Sequence, residues 1–140
     1  MTGNEFSALD AERLVQAAKT VRQNAYAPYS GYRVGSAVLD EIGRVHVGCN
    51  VENSSFPLGA CAEANAIGAM VAAGGKRIVA IAAVGGRTEP EACTPCGGCR
   101  QIIQEFADEN TRVILIGTDG GPRTHLIDTL LPAAFRLRRR

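Results

Sequence analysis

Residues 78–84 read Ile-Val-Ala-Ile-Ala-Ala-Val and are followed directly by Gly85-Gly86. Seven consecutive apolar residues that end at a glycine pair are typical of a β-strand covered on both faces. Just before this run, residues 60–73 are rich in alanine and are bounded by glycine on both sides, which predicts a mostly buried helix. A buried helix followed by a buried strand indicates an α/β protein.

The same alternation continues towards the carboxy terminus. Residues 96–106 predict another helix, with Ile102, Ile103 and Phe106 on one face, and residues 113–116 predict a second buried strand. The segment after them, from Leu126 to Phe135, is expected to begin as a helix that Pro132 limits.

The amino-terminal third predicts a helix and a hairpin. Apolar residues recur at three- and four-residue spacing through residues 7–26, as in an amphipathic helix. Residues 34–39 and 45–49 are short β-prone runs separated by a turn, which predicts a hairpin, and residues 50–59 predict a loop. A hairpin joined to alternating helices and strands implies a mixed sheet with helices on its faces.

The composition argues against two classes of partner. The chain has 15 lysine and arginine residues against 14 aspartate and glutamate residues, a formal net charge of +1. Four arginines lie in residues 136–140, so residues 1–135 are net acidic and have no basic surface pattern for nucleic acid. No apolar run is long enough for a membrane helix or a signal peptide. We expect a cytoplasmic protein with one domain over residues 1–135 and a basic tail over residues 136–140.

Five cysteines need a chemical explanation, because reducing compartments do not keep structural disulfides. Cys96 and Cys99 have the Cys-x-x-Cys spacing that lets two thiolates bind one ion, and Zn²⁺ with such ligands prefers tetrahedral geometry. Cys61 is the best candidate for a third ligand, because Glu63 follows two positions later at the start of the same predicted helix. There its carboxylate could face a metal-bound water.

Other uses of the cysteines remain open. Cys96 and Cys99 could form a structural zinc knuckle completed by Cys93 or Cys49, or a redox-active pair. A closed structural site uses four protein ligands and has no need of a carboxylate, so Glu63 favours catalysis, although alone it would be an ordinary first-turn charge. Under the catalytic interpretation, Cys49 and Cys93 are ordinary thiols.

Four short segments together resemble the small cytidine deaminases. They are, in chain order, Ala25-Tyr26-Ala27-Pro28-Tyr29-Ser30, Gly48-Cys49-Asn50-Val51-Glu52-Asn53, Cys61-Ala62-Glu63 and Pro95-Cys96-Gly97-Gly98-Cys99-Arg100-Gln101. Zinc deaminases combine a ligand-and-glutamate motif with a Pro-Cys-x-x-Cys motif, and the glutamate moves protons without binding the metal. The resemblance covers nearly the whole chain and implies a three-layer α/β/α fold with a mixed sheet of about five strands.

The resemblance implies zinc-dependent hydrolytic deamination of cytidine and deoxycytidine to uridine and deoxyuridine, with release of ammonia, in pyrimidine salvage. Each subunit of a homotetramer would hold one Zn²⁺ on Cys61, Cys96 and Cys99, and a bound water would have its pKa lowered towards about 7. Glu63 would take the proton of that water and deliver it to the ring nitrogen and then to the leaving amine. The partners would be a small pyrimidine nucleoside and further copies of the chain.

The resemblance also implies substrate contacts at Asn50, Glu52, Tyr32, Ser54, Phe56 and Phe135. The amide and the carboxylate suit the hydroxyls of a ribose, and the tyrosine corresponds to an aromatic residue that packs against the pyrimidine. Ser54 and Phe56 match positions through which a neighbouring chain closes the pocket, and Phe135 corresponds to a carboxy-terminal aromatic residue contributed across subunits. From the residues alone, Asn50 and Glu52 could instead be simple loop residues, and Tyr32 and Phe135 could instead be ordinary core residues.

Two positions depart from the family pattern. Family members commonly have an arginine after the catalytic glutamate, which is understood to bond a zinc-bound sulfur, but here the residue is Ala64. Three thiolates outweigh the charge of Zn²⁺, so helix N-termini, Arg100 or another donor must offset the difference. Phe56 stands where the family usually has tyrosine, and the missing phenol removes a hydrogen bond.

Two other functions remain open, the first of them because of these departures. One is a related deaminase for a modified cytosine nucleoside such as blasticidin S, which the Asn50-Val51-Glu52 segment disfavours. The other is a non-catalytic module that uses zinc for stability alone. Polynucleotide editing is a weaker alternative, since residues 1–135 lack a basic groove pattern.

Overall fold

The structure is a computed structural model that describes residues 6–137 of the chain. Its elements are α1 (Ala8–Arg22), β1 (Arg33–Asp40), β2 (Val45–Cys49), a 3₁₀ turn (Phe56–Leu58), α2 (Ala62–Ala72), β3 (Ile78–Gly86), α3 (Gly97–Glu105), β4 (Arg112–Ile116), β5 (Pro122–Leu126) and α4 (Ile127–Leu130). None of these helices is long and apolar enough to cross a membrane. The last three arginines of the expected basic tail lie outside the described residues.

Five strands form one mixed sheet in the order β2-β1-β3-β4-β5. The β1–β2, β1–β3 and β4–β5 pairs are antiparallel, and β3 pairs with β4 in parallel. A parallel pair needs a crossover connection, which α3 supplies. The predicted α/β class and mixed sheet are confirmed.

Helices cover both faces of the sheet, as the three-layer prediction requires. On one face, α1 packs through a cluster that includes Leu14 and Ala18. On the other face, α2, α3 and α4 pack through a cluster that includes Met70, Ile103 and Ile127. The central strand β3 contributes buried side chains to both clusters, which explains its continuous apolar sequence.

The first helix begins at a capping box formed by Ser7 and Asp10. The Ser7 hydroxyl accepts a hydrogen bond from the Asp10 backbone N–H at 3.2 Å, and the Asp10 carboxylate accepts from the Ser7 backbone N–H at 3.1 Å. This reciprocal pair satisfies two N–H groups that the helix itself leaves without partners.

The predicted apolar face of α3 is correct in two residues and wrong in one. Ile103 is buried and Phe106, at the end of the helix, packs partly buried against the same cluster. Ile102 is 37% exposed. Successive helical residues point about 100° apart, and the buried face of α3 carries Cys99, Ile103 and Gln104, which leaves Ile102 outside it.

Two glycines let the outer helices approach the sheet closely. A Cβ at Gly35 on β1 would lie 2.0 Å from the carbonyl oxygen of Ala18 on α1. A Cβ at Gly48 on β2 would lie 2.4 Å from the amide nitrogen of Ala66 on α2. The second contact fixes the height of α2 above the sheet, and the first turn of α2 carries the candidate site.

Candidate active site

Three cysteines meet where the amino-terminal ends of two helices lie together. Cys61 is the N-cap residue of α2, Cys96 is the N-cap residue of α3, and Cys99 lies in the first turn of α3. Their sulfur atoms all lie within 4.8 Å of one another. Cys49 and Cys93 are not part of this group, so they do not complete a four-cysteine site.

The donor set suits a zinc ion. Tetrahedral Zn²⁺ with sulfur ligands at about 2.3 Å places those sulfurs about 3.8 Å apart, which is compatible with the observed grouping. All three residues are free cysteines rather than disulfide partners. Burial raises the pKa of the Cys99 thiol, and the nearby Glu63 carboxylate adds to the effect. A divalent cation stabilises the thiolate forms against this burial and repulsion, so these cysteines could hold zinc.

Backbone groups supply part of the compensation at the sulfurs. The Cys99 backbone N–H donates to the Cys96 sulfur at 3.4 Å, and this bond is the largest cause of a lowered Cys96 pKa. Arg100 does not replace the cation that Ala64 lacks, because its Nε donates to the carbonyl oxygen of Pro95 at 2.9 Å. Among residues 6–137, no arginine or lysine side chain donates a hydrogen bond to the three sulfurs.

Glu63 lies in the first turn of α2, directly beside the cysteine group. The residue is only 5% exposed, and its side chain faces the same cavity as the cysteines. Burial raises the pKa of its carboxyl group, while its own backbone N–H and the Cys99 thiol oppose the rise through hydrogen bonds. A buried carboxyl group next to a metal-ligand set is placed to accept and return a proton.

The cavity has a volume of about 330 Å³ and joins the predicted site residues. Its walls include all three cysteines, Glu63, Asn50, Glu52 and Tyr32 from the sequence prediction, together with Val34, Val51, Ala83, Cys93, Thr94 and Pro95. A cavity of this size and mainly apolar lining is typical of small-molecule sites.

The polar side chains of Asn50 and Glu52 are both bonded within the chain. Asn50 accepts from the Val34 backbone N–H at 2.8 Å and donates to the Tyr32 carbonyl oxygen at 2.9 Å. Glu52 accepts from the backbone N–H of Tyr29 at 2.9 Å and from the Ser30 hydroxyl, and the bond from Ser30 is the main reason for its lowered pKa. These residues therefore shape the loops around the cavity as well as line it.

Tyr32 and Cys93 both line the cavity, and their side chains meet beside Gly85. Burial, followed by the neighbouring Cys93, raises the pKa of the Tyr32 hydroxyl to about 12. A Cβ at Gly85 would lie 2.8 Å from the tyrosine hydroxyl and 3.1 Å from the Cys93 sulfur. Cys93 was not among the predicted site residues, although its position three residues before Cys96 was a signal for it.

A buried arginine holds the loop that leads to this part of the cavity. Arg22 on α1 donates to the carbonyl oxygens of Gly86 at 2.6 Å and Thr88 at 3.2 Å. The loop then folds back, so that the Glu91 backbone N–H donates to Gly85 at 2.8 Å. Arg22 was not predicted to have this role, because nothing in its local pattern distinguishes it from other polar residues of α1.

Three predicted contacts lie outside the cavity of their own chain. Phe56 is 78% exposed and lines an adjoining groove of about 350 Å³, where its ring meets Tyr29 edge-on with centroids 6.4 Å apart. Phe135 is 68% exposed and lies on the carboxy-terminal segment beside α3. Ser54 is exposed on the loop before the 3₁₀ turn. None of these three lines the main cavity.

Comparisons with known proteins agree on one family. Residues 9–116 match the family model described as the cytidine and deoxycytidylate deaminase zinc-binding region. A cytidine deaminase of Sporosarcina psychrophila is 39% identical over 127 residues, which are 91% of this chain and 92% of that protein.

Solved structures agree with the sequence relatives. The crystal structure of cytidine deaminase from Mycobacterium tuberculosis matches with a TM-score of 0.80 at 38% identity, over 91% of this chain and 98% of that one. The crystal structure of cytidine deaminase from Burkholderia pseudomallei also matches with a TM-score of 0.80, at 39% identity over 96% of this chain and 100% of that one.

Proposed function

The chain belongs to the cytidine and deoxycytidylate deaminase family, and we propose that it is a zinc-dependent cytidine deaminase of pyrimidine salvage. It hydrolyses cytidine and deoxycytidine to uridine and deoxyuridine and releases ammonia. The observation that carries the proposal is the buried Glu63 carboxyl group beside three grouped cysteines in a cavity of nucleoside size. The relatives named as cytidine deaminases over most of this chain support it.

The cysteines hold the metal and Glu63 moves the protons. Zn²⁺ bound by Cys61, Cys96 and Cys99 supplies a Lewis acid that makes water a nucleophile at neutral pH. A Glu63 carboxylate oxygen takes a proton from the attacking water and gives it to the ring nitrogen of the cytosine. The water oxygen bonds to the ring carbon that bears the amine. Glu63 then moves the remaining proton of that oxygen to the amine, the C–N bond breaks, ammonia leaves, and the oxygen stays as the carbonyl of uridine.

Three residues of the cavity wall position the nucleoside. A carboxylate has about four lone-pair sites, so Glu52 can bond its own loop and still accept from a ribose hydroxyl. Asn50 lies beside it on the same wall. The Tyr32 ring offers a flat surface to the pyrimidine, since its hydroxyl is directed towards Cys93.

The pocket is completed in a homotetramer. Ser54, Phe56 and Phe135 reach the site of a neighbouring copy, which is consistent with their exposure and their position outside their own cavity. Exposed apolar side chains near the cavity mouth, Tyr26, Tyr29, Val51 and Leu58, support burial against another chain. Closing the pocket in this way separates the cavity from bulk water, while the one attacking water stays inside.

Residues 1–135 form one domain and residues 136–140 a basic tail. The location is the cytoplasm, and the five free cysteines support a reducing compartment. The substrate is a small nucleoside and not a nucleic acid.

Turnover of three substrates tests the proposal. Zinc-loaded protein is incubated separately with cytidine, deoxycytidine and blasticidin S, and loss of the cytosine ultraviolet band and release of ammonia are followed. We expect cytidine and deoxycytidine to be consumed in preference. Ala64 and Phe56 favour the modified nucleoside as the second candidate, and a strong preference for blasticidin S would reverse the assignment.

A further inference from the structure

Arg100 follows the last cysteine of the metal-binding turn and bonds both the start of that turn and a distant part of the chain. Its backbone N–H donates to the Cys96 carbonyl oxygen at 3.0 Å, and its Nε donates to the Pro95 carbonyl oxygen at 2.9 Å. Its Nη1 donates to the carbonyl oxygen of Leu130, at the end of α4, at 2.8 Å. One side chain therefore ties the turn from Pro95 to Cys99 to the carboxy-terminal region.

Two further side chains of α3 hold the residues that follow. Gln101 donates from Nε2 to the Phe135 carbonyl oxygen at 3.1 Å. The buried Gln104, with its amide oxygen turned to the guanidinium, accepts from Arg136 Nη1 at 3.0 Å and Nε at 3.2 Å. Residues 130–136, here called the C-terminal strap, are thus bonded to the helix that carries Cys99 at three points.

We propose that Arg100 is a positioning residue through which the C-terminal strap, residues 130–136, controls how tightly the three cysteines hold zinc. The inference rests on the zinc-binding part of the proposed function. It gives the carboxy-terminal region a role besides supplying Phe135 to a neighbouring subunit.

The chemistry of this chain makes such positioning important. Ala64 offers no cation to the sulfurs, so the site depends on how well the backbone places its ligands. A guanidinium donates in a fixed planar fork, and two carbonyl acceptors from different segments therefore fix the relative position of those segments. Groups that orient metal ligands typically change metal affinity by about 10- to 100-fold when they are replaced.

A charge-matched pair of variants tests the role of Arg100. Arg100→Gln removes the two side-chain bonds, whereas Arg123→Gln removes the same charge from an exposed ion pair with Asp119 in the β4–β5 turn. Transfer of zinc from the folded protein to a metallochromic chelator is timed at 25 °C. We expect release from Arg100→Gln to be about tenfold faster than from wild type, and release from Arg123→Gln to match wild type. Equal rates for all three proteins would overturn the inference.

A thermal measurement separates metal positioning from general stability. The melting temperature of each protein is recorded with and without zinc, since the difference reports binding to the native state. Arg100→Gln should reduce the zinc-dependent rise in melting temperature. A variant that loses stability equally in both conditions, with an unchanged release rate, would show a purely structural role and contradict the proposal.

A variant of Arg136 tests the strap itself through its contact with Gln104, one turn after Arg100 on α3. Arg136→Gln leaves Phe135 and the cysteines intact and removes the bond to Gln104. We expect faster zinc release than from wild type, and a wild-type rate would overturn the role of the strap. Protein that holds zinc and shows these effects but leaves cytidine unchanged would support the inference and contradict the proposed enzyme. Wild-type protein that retains no zinc would contradict both.

Discussion

Asn65 Nδ2 donates a 2.8 Å hydrogen bond to the carbonyl oxygen of Cys49, which joins the start of α2 to the end of β2. Gly48, one residue earlier on the strand, touches the same helix through its backbone. These contacts hold the turn that carries Cys61 and Glu63 against the rigid sheet. The position of the proposed proton carrier is therefore set by backbone packing on β2, which belongs to a hairpin distant in sequence from the cysteine pair at 96 and 99.

Gly48→Ala is expected to disturb the fold and the site together. The added Cβ would meet the Ala66 amide at 2.4 Å, so α2 must shift, at a cost of about 1–3 kcal/mol in unfolding free energy. Urea denaturation measures the loss, and cytidine turnover should fall with it. The control is Gly68→Ala on the open side of α2, where a Cβ meets nothing within 4 Å. That variant should gain stability by up to about 1 kcal/mol, and an equal effect at both positions would contradict the packing explanation.

Asp40 should make the free energy of unfolding fall as the pH is lowered into the acid range. Burial acts to raise the pKa of its carboxyl group, but hydrogen bonds from His46, Arg44 and Ile42 outweigh it and hold the pKa well below its usual range. The unfolded chain takes up the proton below about pH 4 while the folded chain does not, so this stabilisation is present above about pH 4 and is lost as pH falls.

The variant Asp40→Asn measures that contribution. At pH 7 it should lower the unfolding free energy by about 2–3 kcal/mol, since it disrupts a buried, charge-assisted network. The difference from wild type should shrink below pH 4. Asp119→Asn, in an exposed ion pair, is the control and should cost less than about 1 kcal/mol. A difference between Asp40→Asn and wild type that stays constant from pH 7 to pH 3 would contradict the assignment.

Glu52→Gln is expected to weaken recognition of the sugar. The neutral amide accepts more weakly from a ribose hydroxyl, so kcat/KM for cytidine should fall by about 10- to 100-fold, mostly through KM. Steady-state kinetics measure the change, and the exposed Glu109→Gln provides the control. If kcat/KM were unchanged while the melting temperature fell, Glu52 would serve only to hold the Tyr29–Ser30 loop.

Mixed oligomers test the proposed contribution of Phe135 to a neighbouring subunit. Glu63→Gln and Phe135→Ala chains are each expected to have little activity alone. In a hybrid, a Phe135→Ala subunit keeps its own Glu63 and receives the aromatic ring from its neighbour, so activity should return. Coexpression with two affinity tags isolates the hybrid. Activity no greater than that of the separate variants would show that Phe135 acts in its own subunit or not at all.

Local sequence patterns predicted most of the fold but not its edge strand. The run from Ile78 to Val84 is buried on both faces and therefore has an unmistakable apolar sequence. Pro122–Leu126 is mostly exposed, so its sequence has no alternation of apolar and polar residues. It forms a strand because it pairs with β4. The expected number of about five strands came from the family resemblance.

Local patterns also predicted some residues of the candidate site but not the contacts between distant segments. Spacing was enough to pair Cys96 with Cys99. Cys61 was proposed as the third ligand because Glu63 follows it by two positions at a predicted helix start. The contact of Tyr32 with Cys93 depends on two segments that meet across Gly85, which no local pattern reports. The carbonyl partners of Arg100 were missed for the same reason.

Glu63→Gln provides the most direct test of the proposed enzyme. The amide keeps nearly the size of the carboxyl group but cannot carry the proton, so the fold and one zinc ion per chain should be retained while cytidine turnover falls by at least about 10³-fold. Metal analysis, circular dichroism and the cytidine ultraviolet assay are made on the same preparation. Turnover by Glu63→Gln at the wild-type rate, or no turnover by zinc-loaded wild type, would contradict the proposal that Glu63 and the three cysteines form a cytidine deaminase site.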